Sequence, residues 1–160
     1  MRNILSTGIL VVSGLVGTAE IVAIADADTP PPPDPRLVRL RHYLVRNDCP
    51  LSRYAETFIE VADRNRLDWR LLPSISFVES SGGKYYYNNN VFGWDNCRYR
   101  FPSIEESIHM VGHKLANSDL YRGRDLDSLL RIYNPARAEY SRAVRKVMQE
   151  IALAEPPKRR

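Results

Sequence analysis

An all-α single domain of about six helices is what this sequence predicts, and three observations predict it. From residue 36 onward, apolar residues recur at three- and four-residue spacing, and no convincing alternating run marks a strand. Capping residues stand where several of these periodic runs begin. One long segment, residues 79–100, breaks the pattern with a run of three tyrosines, a run of three asparagines and a Phe-Gly-Trp. Such a connection is more often a binding surface than packing.

The elements follow in order. Arg2, an apolar run from Ile4 to Val16 and the small residues Ala23-Ile24-Ala25-Asp26-Ala27 read as a secretory signal peptide over residues 1–25, cleaved after Ala25 or Ala27. An uncleaved anchor is the alternative, because weakly apolar residues continue from Ile21 to Ala25. Glu20 interrupts that stretch, and a spanning helix wants about 20 consecutive apolar residues. Residues 26–35 form a stiff linker, with Thr29-Pro30-Pro31-Pro32-Pro33-Asp34-Pro35 unable to join a helix. Residues 36–155 suffice for one core and one domain. Residues 156–160 are a basic tail, and no later segment is expected to span a membrane once the signal is removed.

Within the domain, Leu37, Leu40, Leu44 and Val45 share helical spacing. Tyr54, Phe58, Val61, Ala62 and Asn65 follow the same rule, with Ser52 placed to cap. Asp68 suits the N-cap of a third helix holding Leu71, Leu72, Ile75 and Val78, with Pro73 tolerated only near its first turn. Ser103-Ile104-Glu105-Glu106 is a capping box, and Ile104, Ile108, Val111 and Leu115 form one helical face. Asp125 or Asp127 caps a short helix with Leu126, Leu129 and Leu130, which Asn134-Pro135 breaks. A last helix carries Tyr140, Val144, Val147, Met148 and Ile151.

Charge and cysteines narrow the class. The net charge of +4 would help a protein dwell on anionic cell-wall polymers. Nucleic acid is excluded as a partner, since the arginines are scattered and no nucleic-acid motif is present. Behind a signal peptide, the two cysteines, Cys49 and Cys97, favour a disulfide. It would close a long loop worth about 4 kcal/mol; two free thiols are the alternative. His109 and His113 sit four apart on a helix, but without His-Glu-x-x-His or a third ligand no metal is expected. Asp125-Leu126-Asp127 lacks the rest of a calcium loop. No cofactor motif is present.

Glu79 is the candidate for chemistry. It ends an apolar stretch, Ile75-Ser76-Phe77-Val78, at the edge of a glycine-rich turn. A carboxyl there is half desolvated, and desolvation disfavours the charged form. A general acid for glycoside cleavage needs that, since it must hold its proton until the leaving oxygen takes it. Tyr85, Tyr86, Tyr87, Asn88, Asn89, Asn90, Phe92 and Trp94 follow closely, offering aromatic faces for sugar rings and amides for hydroxyl and acetamido groups. Taken alone, each also reads as a residue pinning a polar loop.

The string Leu71-Leu72-Pro73-Ser74-Ile75-Ser76-Phe77-Val78-Glu79-Ser80-Ser81-Gly82-Gly83, then Asn89-Asn90-Val91-Phe92-Gly93-Trp94, then Tyr133-Asn134-Pro135, resembles the lysozyme-like superfamily. Within it, the likeness is to soluble lytic transglycosylases and bacterial endo-β-N-acetylglucosaminidases, and it runs from about Cys49 to Ile151. The resemblance implies a lysozyme-like fold with Glu79 as catalytic glutamate and Ser80 beside it. It further implies glycan contacts from Asn89, Asn90, Phe92, Gly93 and Trp94 on the cleft floor, and from Asn134 where the later Tyr-Asn closes the cleft. Tyr133 would stabilise charge near the cleaved bond. Lytic transglycosylases usually follow their cleft glycines with a Gln-containing segment. Trp94-Asp95-Asn96-Cys97 stands here instead, closer to the glucosaminidase branch.

Two outcomes stay open. A two-carboxylate hydrolase needs a second acid, for which Asp95 is the candidate. With Glu79 alone, the substrate's acetamido group would stabilise the cation, and the sugar's own 6-hydroxyl would close a 1,6-anhydro end. The expectation is a monomeric peptidoglycan glycosidase, secreted or periplasmic in a bacterial cell envelope, working without metal or cofactor. A catalytically silent glycan-binding or wall-scaffolding module is the rival from another class.

Overall fold

The computed structural model describes residues 32–155. The expected signal peptide, most of the linker and the basic tail lie outside the described residues. The described chain is all-α: six α-helices and one 3-10 turn, with no strand beyond an isolated Tyr87–Asn90 bridge. No described helix is long and apolar enough to cross a membrane.

Helix α1, Pro35–Arg46, begins one residue inside the expected linker. Pro35 takes the first helical position, where its missing N–H would have had no partner anyway. Asp34 caps it, accepting from the Arg36 N–H at 2.8 Å. Leu40, Tyr43 and Leu44 are buried, whereas Val45, one position round the helix, is 57 % exposed. Pro50 then starts a 3-10 turn, Pro50–Tyr54, that holds Ser52 inside it. Ser52 therefore does not cap α2, Ala55–Asn65, whose cap position belongs to Tyr54.

Helix α3, Leu71–Ser80, is the central one, buried at Leu71, Leu72, Pro73, Ser74, Ile75, Ser76 and Ser80. Asp68 prepares its start rather than capping it. Its carboxylate accepts from the Arg70 N–H at 2.9 Å, and its carbonyl accepts from Leu71 at 2.9 Å. Pro73 sits in the first turn, where it breaks no helical hydrogen bond.

Ser103 caps α4, Ile104–Asn117, accepting from Glu106 N–H at 3.0 Å. Helix α4 packs on α2, and Gly112 makes that approach possible, since any side chain there would overlap Val61. Asp125, not Asp127, caps α5, Leu126–Tyr133, accepting from Ser128 N–H at 3.0 Å. Asp127 instead pairs with Arg145 of α6, Tyr140–Leu153. All five residues expected on the buried face of α6 are buried. Helix α6 packs on both α1 and α3.

Candidate active site

Glu79 stands in the last turn of α3, and the residue after it fixes that turn. The Ser80 hydroxyl donates to Ser76 O at 2.7 Å and accepts from Gly83 N–H at 3.1 Å. The Ser80 carbonyl accepts from both Lys84 and Tyr85. Ser81 ends the helix in the left-handed region, at φ 53°. The helix end and the glycine turn are thereby one hydrogen-bonded unit, and Glu79 projects from it into a cleft of about 730 Å³. That size accommodates a small ligand or a few sugar rings.

Three segments complete the cleft: residues 93–97 of the long loop, Tyr121 after α4, and Tyr133 to Ala136 at the end of α5. Gly93 has φ 63°, and a Cβ there would lie 2.8 Å from Oε2 of Glu79. The left-handed backbone favours glycine here, and any side chain would make the carboxylate shift. Beyond it, Asp95, Asn96 and Cys97 are all left-handed, at φ 51°, 51° and 62°. Such conformations cost about 1–2 kcal/mol per non-glycine residue and cluster at functional sites.

The cleft wall is aromatic. Tyr133 is its centre, stacked on Tyr140 with centroids 5.9 Å apart and planes 6° apart. Trp94 meets the Tyr133 edge at 5.9 Å, and Tyr121 lies within 6.5 Å of both. The Tyr133 hydroxyl donates to Phe92 O at 2.6 Å. Burial, with the Glu79 carboxylate adding to it, holds the Tyr133 phenol well above its ordinary range. Among the described residues, Glu79 has no ion-pair partner and accepts no hydrogen bond. It is a carboxyl set between a bare backbone and a stack of phenol rings, with one side open to the cleft.

The expected site residues divide. Glu79, Gly93, Trp94, Asp95, Tyr133 and Asn134 come together around the cleft. Ser80, Asn89, Asn90 and Phe92 do not line it. Phe92 is fully buried in the core. The Asn90 amide holds the loop, donating to Trp94 O at 2.8 Å and Tyr99 O at 3.2 Å while its oxygen accepts from Trp94 N–H at 2.9 Å. Asn89 donates to Phe101 O at 3.0 Å. These amides are spent on backbone groups that an irregular loop would otherwise leave unpaired. Tyr133 is at the cleft, but its phenol proton is engaged by Phe92 O. Asp95, on the exposed rim, pairs with Arg98 at 2.7 Å.

The expected disulfide is not formed: Cys49 and Cys97 are both free. The Cys49 sulfur is sealed under Gly82, where even a methyl group would overlap it. Cys97 is exposed on the cleft rim. His109 and His113 stay on α4. No group of three or more His, Cys, Asp or Glu side chains among the described residues is placed to hold a metal ion.

No known family matches this chain, and no curated protein does.

The functional reading therefore rests on the cleft, and two residues escaped the sequence: Tyr121, which lines it, and Tyr140, which stacks behind Tyr133. Tyr140 scans as one more buried position of α6, and nothing in its spacing marks its ring as stacked on Tyr133. Tyr121 lies in an aperiodic turn, where only its aromatic character hints at a role.

Proposed function

We propose that this cleft cleaves the N-acetylmuramic acid–N-acetylglucosamine backbone of peptidoglycan, and that the all-α domain is a lysozyme-like one exported to the bacterial cell envelope. The observation that carries the reading is Glu79, a carboxyl with no ion-pair partner among the described residues, at the end of α3 and facing an aromatic-walled cleft. A glycosidase places its proton donor in such surroundings, beside the sugar and without a fixed cation paired to it. Trp94 offers an aromatic face for a sugar ring, and Asn134 an amide for hydroxyl or acetamido groups. The basic surface suits an anionic wall polymer.

In this mechanism Glu79 gives its proton to the glycosidic oxygen as the bond to the sugar carbon breaks. The substrate's acetamido oxygen stabilises the cation left behind. The Glu79 carboxylate then takes a proton, either from the sugar's 6-hydroxyl, closing a 1,6-anhydro ring, or from water, giving a reducing end. The Asp95–Arg98 ion pair favours a single working glutamate, because Asp95 would have to leave that partner to serve as a second acid. These steps call on no metal or cofactor.

The test is digestion of purified peptidoglycan followed by mass spectrometry of released muropeptides, beside the Glu79→Gln variant. Release by the wild type and not by the variant supports the reading. A wild type that binds glycan without releasing muropeptides points to the silent binding module.

A further inference from the structure

Among the described residues seven large apolar side chains are exposed, and four of them are tyrosines between residues 85 and 99. Tyr85 is 76 % exposed, Tyr87 78 % and Tyr99 46 %. None of the four lines the cleft, although the same loop supplies part of its wall. Single exposed apolar groups are ordinary, but large ones gathered together mark a surface that meets a partner.

Hydrogen bonds do the gathering. The Asn90 N–H donates to Tyr87 O at 2.8 Å, and the Asn90 amide donates to Tyr99 O at 3.2 Å. The Phe101 N–H donates to Asn88 O at 2.9 Å, and the Tyr85 N–H ties its residue to Ser80 O at 3.0 Å. Segments 84–90 and 98–101 are thereby fastened to each other and to the end of α3. Tyr99 also rests on the buried Phe101, with ring centroids 4.7 Å apart. A tyrosine on a fixed backbone presents a broad apolar face with a polar tip and loses little freedom when a ligand arrives. The one aliphatic side chain in this stretch, Val91, is buried, so the exposed apolar surface is aromatic alone.

The charge here is one-sided. Between Glu79 and Glu105 the chain carries a single acid, Asp95, against Lys84, Arg98 and Arg100. Asp95 is paired with Arg98. Lys84 and Arg100, both exposed, are left without an acid on this stretch. Aromatic faces suit sugar rings, and the two cations suit carboxylates.

We infer that Tyr85, Tyr87 and Tyr99, with Lys84 and Arg100, form a second glycan-binding surface outside the cleft, one that holds a carboxylate-bearing strand of the wall polymer. The identity of this occupant rests on the peptidoglycan reading; the surface itself does not depend on Glu79. Two sites on one rigid domain act together on a polymer that reaches both, because binding at the first raises the effective concentration at the second. The surface therefore matters for intact wall and not for short fragments that fill only the cleft.

The test uses the full chain carrying Glu79→Gln, so that the polymer stays whole while cosedimentation with purified peptidoglycan sacculi reads the affinity. Tyr85→Ser combined with Tyr87→Ser removes two exposed rings, and an unchanged Tm checks that the fold is kept. Affinity for sacculi should fall at least about tenfold, as for loss of aromatic anchors. The fluorescence response of Trp94 to a chitooligosaccharide should stay the same. Lys84→Gln combined with Arg100→Gln should weaken binding at low salt and flatten its salt dependence. Unchanged sacculus binding in the tyrosine variant overturns the inference, as does a parent chain that binds no sacculi. A chitooligosaccharide response lost together with sacculus binding would make the tyrosines part of the cleft and overturns it equally. If binding depends on the tyrosines while the wild type releases no muropeptides, the surface stands and the glycosidase reading is what fails.

Discussion

The Cβ that Gly93 lacks would lie 2.8 Å from Oε2 of Glu79, so any side chain at residue 93 would make the Glu79 carboxylate shift. Gly93→Ala should act twice. The left-handed backbone, at φ 63°, costs about 1–2 kcal/mol for an alanine, and the new methyl must push Glu79 aside. Urea denaturation should show that loss of stability, and turnover of cell walls should fall by more than stability explains. A variant as stable and as active as the wild type would mean the contact is unimportant.

Trp94 and Trp69 both pack against the core, but Trp94 also lines the cleft in contact with Tyr133 and Trp69 does not. A chitooligosaccharide should therefore change tryptophan fluorescence through Trp94. Trp94→Ala should abolish the ligand-dependent signal and weaken binding, while Trp69→Ala should leave the signal and lower stability. The reverse assignment of the two signals would place the glycan elsewhere.

Asn90 belongs to the scaffold of the loop. It is 2 % exposed and makes three hydrogen bonds to backbone groups of Trp94 and Tyr99. Asn90→Ala should cost about 2–4 kcal/mol, since each bond lost contributes about 1 kcal/mol and buried groups are left unpaired. Differential scanning calorimetry would show a lowered Tm. Weakened glycan binding with an unchanged Tm would restore Asn90 to the cleft.

The two thiols should be distinguishable. Cys97 is exposed and should react with a thiol reagent at once; Cys49 should react only on unfolding. Burial pushes the Cys49 thiol above its ordinary value of 9.0. The folded protein then holds a proton that the unfolded chain releases. That contribution to stability is complete below about pH 9 and is lost as pH rises beyond it. Cys49→Ser should flatten this part of the stability curve. Two equally fast thiols in the native protein would contradict the burial of Cys49.

Much of the fold was legible because it depends on local rules. The buried faces of α4, α5 and α6 follow from spacing, and the caps Ser103 and Asp125 from residue type. Ser52 was misplaced because Pro50 starts a 3-10 turn before the helix, a choice that spacing does not register. Glu79 was legible as a carboxylate at the end of an apolar helix. The role of Asn90 was not, because an amide that clasps backbone and one that binds sugar look alike in sequence. The disulfide rested on compartment and count, which carry no geometry. The stacking of Tyr140 on Tyr133 depends on α5 and α6 packing together, a tertiary relationship with no local trace.

The most direct test is turnover of purified peptidoglycan by Glu79→Gln and Asp95→Asn, each checked for native folding, with mass spectrometry of the products. Glu79→Gln keeps the shape but cannot deliver a proton. General acid/base catalysis is worth about 10²–10⁴-fold, so activity should fall at least about a hundredfold. With Glu79 working alone, Asp95→Asn should be far milder, with products carrying 1,6-anhydro ends. Equal severity at Asp95 with reducing ends would make the enzyme a two-carboxylate hydrolase. Full activity in Glu79→Gln would contradict the account outright.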